Sequence, residues 1–290
     1  MSRARATAIG FVAVLFWALL ALFTVGAAPM PPFLLNTVCF VIGGTLGLIW
    51  AKATGSLCLL RNVPIRIYVF GTFGLFGYHA LYFSALRLAP AAEAGLIAYL
   101  WPLLIVLFSG LLPGERLRKG HIVGALVGFA GAALIISGRG VNLSADAAAG
   151  YTLALLCALT WSGYSVLSRR LGDAPTATVA VFCLASAALS LPLHLIFEQT
   201  IWPADAIGWL SVIGLGLGPV GVAFFVWDVG VKQGDIQLLG TSSYAAPLLS
   251  TLILVLFGVA DPSVTLFWAA LMVTGGAAIA ARASFSSEKG

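Results

Sequence analysis

Two tetrapeptides, Tyr99-Leu100-Trp101-Pro102 and Tyr244-Ala245-Ala246-Pro247, concentrate the side chains of this sequence that could do chemistry. Each sets aromatic residues within three positions of a proline, in the middle of an apolar run. Proline removes a backbone donor and clashes with the preceding turn, so a helix holding it at mid-depth bends or opens there. Inside a bilayer such an opening survives only where protein or a water-filled cavity satisfies the freed groups. The two stretches are therefore expected to form opposite walls of one ligand site.

Nine aromatic residues with polar handles fall on the runs that would line that site: Trp17, Tyr78, Tyr82, Tyr99, Trp101, Trp161, Tyr164, Trp227 and Tyr244. Tyr78 and Tyr82 are four apart and share one helical face. Aromatic pairs at the right offset add about 0.5–1.5 kcal/mol beyond area burial, a source of preference for an aromatic ligand. Trp202 and Trp209, near a loop end, read instead as an interfacial belt. A zwitterion also needs polar partners. Thr241, Ser242 and Ser243, with carbonyls freed near Pro102 and Pro247, could supply neutral donors and acceptors.

Ionisable groups inside the runs are few, and each is costly to bury in lipid. His79 could handle a proton or sit neutral and hydrogen-bonded. Glu93 begins its run, where the helix dipole favours an acid. Asp228 is spaced i, i+4 from Lys232 and could pair with it or gate the cavity. No hydrolase, metalloprotease or phosphate-cradling motif occurs, so no catalytic residue, cofactor or ATP hydrolysis is expected. Cys39, Cys58, Cys157 and Cys183 show no metal-ligand spacing.

The elements that must position these groups follow from composition. Of 290 residues, 61% are hydrophobic and 9% charged, and the mean hydropathy is +1.05. Soluble chains carry roughly 25% charged residues, so this is a multi-pass helical membrane protein. Windows of about 20 apolar residues give spans at 6–27, 31–51, 66–88, 92–112, 120–138, 149–169, 176–198, 206–231, 236–258 and 264–282. Links such as Pro113-Gly114, Gly138-Arg139-Gly140, Gly172-Asp173-Ala174-Pro175 and Asp261-Pro262 bear turn signals. The net charge of +5 sits in the short links, which indicates membrane orientation rather than nucleic-acid binding. Thirteen basic residues, among them Arg3, Arg169, Lys232 and Lys289, fall on the side of the N-terminus, against Arg87 and Arg139 opposite. Both ends are thus expected in the cytoplasm.

An offset of 145 places Gly95 on Gly240, Tyr99 on Tyr244, Pro102 on Pro247, Gly131 on Gly276 and Arg87 on Lys232; an offset of 144 sets Trp17 on Trp161. Five helices per half is an odd number, so the second half, 139–290, enters the bilayer inverted relative to the first, 1–138. Inverted repeats with interrupted helices are the layout of secondary transporters, with a central site. Gly43-x3-Gly47, Gly124-x3-Gly128 and Gly214-x3-Gly218 repeat glycine at close-packing spacing, for contacts within the chain or in a homodimer.

With Gly10-x6-Trp17, Tyr99-Leu100-Trp101-Pro102 and Ser243-Tyr244-x2-Pro247-Leu248-x-Ser250, the chain resembles the EamA branch of the drug/metabolite transporter superfamily. Trp227-Asp228-Val229-Gly230 and Tyr-Leu-Trp-Pro look most like its YddG-type aromatic amino-acid exporters. The resemblance covers nearly the whole chain. It implies an inner-membrane exporter of amino acids, especially Phe, Tyr and Trp, working by alternating access around a cavity lined by both halves. The alternatives are a carrier of other metabolites or of cationic drugs, and an intramembrane enzyme in which His79, Glu93 and Asp228 converge. Implied partners are a small-molecule substrate and the lipid bilayer.

Overall fold

Ten helices long and apolar enough to cross a bilayer make up the computed structural model, which describes residues 1–137, 144–171, 174–258, 261 and 263–285. They are α1 (Arg3–Gly26), α2 (Pro32–Ala53), α3 (Ile65–Leu88), α4 (Ala91–Ser109), α5 (Lys119–Ile136), α6 (Ala145–Arg170), α7 (Thr178–Phe197), α8 (Ala206–Gln233), α9 (Ile236–Leu256) and α10 (Val264–Ser284). All ten expected spans are present. The run expected to reach 112 stops at Ser109, where Leu111 and Leu112 turn back onto the carbonyls of Phe108 and Ser109. Gly138, Arg139, Gly140, Gly172, Asp173, Pro262 and Lys289 lie outside the described residues.

Packing follows the two-fold pattern of an inverted repeat. α3 lies along α6 as α8 lies along α1, and α3 meets α7 as α8 meets α2. α2 pairs with α7 and α5 with α10, each the counterpart of its partner. The start of α1 and the end of α6 share one end of the bundle, because Arg3 and Arg169 both bind Glu115. This is here called the terminal end.

Glycine permits the tightest crossings. A Cβ on Gly230 would lie 2.5 Å from the Gly10 Cα, where α8 crosses α1. A Cβ on Gly43 would meet the Gly221 Cα at 2.9 Å, and one on Gly124 the Gly276 carbonyl at 2.5 Å. Gly214 and Gly218 face Phe23 and Phe16 in the same way. These stretches thus pack helices within the chain.

Four spans are interrupted: α1 after Ala18, α4 between Ala98 and Trp101, α9 between Ser242 and Ala245, and α8 by a π-helical turn at Gly218–Val222. The breaks of α4 and α9 match under the repeat offset to within one residue. Both lie just before their prolines. Pro102 falls in the first turn of the second half-helix, where a missing N–H leaves no bond unmade.

Because the Gly230 site faces backbone, Gly230→Ala should lower the thermal unfolding midpoint in detergent, by a stability loss of about 1–3 kcal/mol. Gly275→Ala, with nothing within 4 Å of its Cβ, should leave the midpoint unchanged or slightly raised.

Candidate functional site

The interruptions cluster around four tryptophans. Trp17 (α1), Trp101 (α4), Trp161 (α6) and Trp227 (α8) touch in all six pairings, with ring centroids 5.1–6.4 Å apart. Residues from both halves of the sequence therefore meet at one point. Two indoles also secure the fold: Trp17 Nε1 donates to the Pro219 carbonyl in the π-turn at 3.2 Å, and Trp227 Nε1 to Ser165 Oγ at 3.1 Å. The accepting carbonyl lies in the π-turn, where the ladder shifts to i→i+5 bonding.

Tyrosines flank this cluster. Tyr78 packs on Trp161 at 5.4 Å and stacks on Tyr82 at 6.2 Å with rings 3° from parallel, as their i, i+4 spacing requires. Tyr99 adjoins Trp101 at 6.3 Å. Tyr164 lies against Trp161 at 5.3 Å, toward the terminal end. Trp101, Trp161, Tyr164 and Trp227 are buried, whereas Trp17, Tyr78, His79, Tyr82 and Tyr99 keep partial exposure. The hydroxyls of Tyr78, Tyr82 and Tyr99 make no hydrogen bond to a described residue and are not among the fully buried orphans, so they reach open space.

His79 adjoins Tyr78 at 5.1 Å, Phe40 at 5.0 Å and Phe224 at 6.1 Å. Its Nδ1 lies 2.8 Å from the Leu75 carbonyl. A carbonyl only accepts, so Nδ1 bears the proton and Nε2 presents a lone pair.

Burial around the cluster is lighter on the side away from the terminal end. In α9, Ile236, Gln237, Leu239, Gly240 and Thr241 are buried in the first half, against Ala246 and Leu248 in the second. In α3, Ile67, Gly71, Gly74 and Leu75 are buried, and beyond them Ala85 alone. Charges gather at the terminal end. Glu115 binds Arg3 at 3.0 Å and Arg169 at 2.9 Å, and Asp235 approaches Arg3 at 3.6 Å. Two of these three contacts join one half of the chain to the other. Nearby, Asp228 pairs with Lys232 at 2.9 Å, as its spacing allowed, and accepts from Thr176 Oγ1 at 2.8 Å.

Three predicted site residues stand apart from the tryptophans. The Tyr244 hydroxyl accepts the Leu103 N–H at 3.0 Å, and the side chain is completely buried beside Phe129. Leu103 is the third residue of the second half of α4, whose N–H has no carbonyl partner after the break. Ser243 turns its hydroxyl back to the Leu239 carbonyl. Ser242 borders a cleft of about 440 Å³ with Arg3, Thr7, Phe11 and Leu238. The two tetrapeptides are thus not opposite walls: α4 and α9 touch at their breaks, where a Cβ on Gly240 would lie 3.1 Å from the Pro102 carbonyl.

Sequence reading missed Phe40, Phe224, Glu115, Thr176 and Asp235. Asp235 had a legible signal, an acid directly before the ninth span, and its Oδ1 caps Leu238 N at 2.9 Å. Trp202 and Trp209, read as belt residues, are exposed and stack on each other at 5.7 Å. His79, Glu93 and Asp228 sit on three different helices, and among the described residues no three His, Cys, Asp or Glu converge as a metal site.

Tyr244→Phe leaves the Leu103 N–H buried without its acceptor. A stability loss of about 1–2 kcal/mol, measured by thermal unfolding, is expected.

The model of the EamA-like transporter family matches residues 5–137 and again 148–282. The aromatic amino acid exporter YddG of Ancylobacter novellus is 54% identical over 283 residues, covering 97% of this chain and 98% of that protein. The exporters of the same name from Salmonella typhimurium and Escherichia coli are 27% and 24% identical, each covering 95% of this chain and 96% of the relative. A solved crystal structure 53% identical in sequence superimposes with a TM-score of 0.93, over 96% of this chain and 97% of that one.

Proposed function

This chain belongs to the EamA-like transporter family, and from that premise we propose that it exports aromatic amino acids, with other amino acids as lesser substrates, across the bacterial inner membrane by alternating access. The observation that best supports this reading is the four-tryptophan cluster under a partly open wall of Tyr78, Tyr82 and Tyr99. An aromatic side chain entering it would meet ring faces and edges on several sides, each pair adding about 0.5–1.5 kcal/mol. Substrate contacts are assigned to Trp17, Tyr78, His79, Tyr82, Tyr99, Trp101 and Trp161. Trp227 and Tyr164 support them from below. The turns at the four interruptions are the places where half-helices can tilt.

The orientation adopted is cytoplasmic for both termini, by the excess of basic residues at that end. The hollow then opens outward, and the Arg3–Glu115–Arg169–Asp235 cluster is the inner closure. A released amino acid would leave through the open end. For the next molecule to enter, the ion pairs between the two halves must part.

Aromatic faces also attract organic cations, which keeps cationic drugs as a second substrate class. Competition by a panel of amino acids and quaternary amines decides between them.

Proteoliposomes holding the purified protein should show flux of Phe, Tyr or Trp; none for these or for neutral aliphatic amino acids would remove the proposal. Trp101→Ala should lower Phe transport by at least about tenfold and Ala or Thr transport less. Equal losses would mark a folding defect. For the closure, Ser168→Cys, buried below Tyr164, serves as a reporter in a Cys58→Ser background. Adding Glu115→Gln should raise its alkylation from the cytoplasmic face on the order of tenfold, and an unchanged rate would show that the cluster closes nothing.

A further inference from the structure

The basic residues nearest the aromatic hollow are already engaged. Lys232 binds Asp228 and the Ala174 carbonyl, Arg169 binds Glu115, and Arg87 binds Glu198 at 3.3 Å. An acidic group entering the hollow must therefore be met by neutral donors. Four indoles meet there, and their N–H groups are not equivalent. Those of Trp17 and Trp227 are spent on Pro219 and Ser165. Those of Trp101 and Trp161 make no hydrogen bond to a described residue. Nor is either nitrogen among the fully buried orphan atoms, which are Arg169 Nη1, Ser186 Oγ and Gln237 Nε2. Although the two rings are 5% and 3% exposed, their N–H groups thus reach accessible space. The rings come from α4 and α6, stand at 89° and have centroids 6.4 Å apart. The unbonded hydroxyls of Tyr99 and Tyr78 lie on the rings packed against them.

An indole N–H only donates. Two unpaired, half-dry donors on facing helices are suited to an anion with two acceptor oxygens. With no cation to offset a second charge, a carboxylate fits and a doubly charged phosphate does not. We propose that the indole N–H groups of Trp101 and Trp161 bind the carboxylate of the transported amino acid, so that these two residues read its head group as well as its ring. The inference rests on the amino-acid reading above and assigns the two residues a role that ring stacking does not require.

Phenethylamine, which keeps the ring and ammonium of Phe and lacks the carboxylate, separates the two roles. Trp101→Phe and Trp161→Phe retain an aromatic face and remove the donor. Each should weaken Phe as a competitor by about tenfold, the scale of a lost hydrogen bond to a charged group, and leave phenethylamine within about twofold. Parallel weakening of both ligands, or no weakening of Phe, overturns the proposal while the exporter reading stands. The wild-type protein gives a check free of folding effects: it should bind Phe more tightly than phenethylamine, and equal binding overturns the assignment. If the wild type binds neither, the exporter reading fails and this proposal with it.

Discussion

A backbone group released in hydrocarbon has no water to turn to, and that constraint decides where this bundle can be interrupted. The second half of α4 starts with an unpaired N–H at Leu103, and a tyrosine hydroxyl from α9 satisfies it. The Pro219 carbonyl in the π-turn of α8 accepts an indole N–H from α1. The same aromatic residue types that would recognise a ligand thus stabilise the breaks. At these two of the four breaks a polar-tipped ring from another helix bonds the interrupted backbone.

Charge is kept at the two ends. Arg87 and Glu198 join α3 to α7 at one end, where Glu198 also accepts the N–H groups of Phe33 and Leu34 that open α2. At the terminal end the ion pairs bridge α1, the link after α4, α6 and the start of α9. Between the ends lie rings, hydroxyls and one imidazole held to a backbone carbonyl. Such an interior avoids the large desolvation cost of a bare charge.

Much of this was legible in the sequence, since apolar runs of bilayer length give the ten helices and matched Tyr and Pro positions give the repeat. Trp17 and Trp161, superposed by that repeat, touch at 5.9 Å. Depth was harder to read. Tyr244 matches Tyr99 in sequence, yet one is sealed at an interhelical contact while the other borders the hollow. The difference arises from α9 lying directly on α4 through Gly240, which no one-dimensional pattern encodes. Phe40 and Phe224 lacked any distinguishing mark among 18 phenylalanines. The interruption of α8 was signalled by Gly218-Pro219, but only in register with Trp17 does that pair acquire a purpose.

The closure at the terminal end has no twin. The offset that superposes Trp17 on Trp161 takes Arg3 to Ala147 and Arg169 to Val25, and the offset for α4 and α9 takes Glu115 to Ala260 and Asp235 to Pro90. None of the four counterparts can form an ion pair, so the repeat of the backbone is not matched by a repeat of its charges. In the proposed cycle these four side chains favour the state held shut at the terminal end over its mirror image.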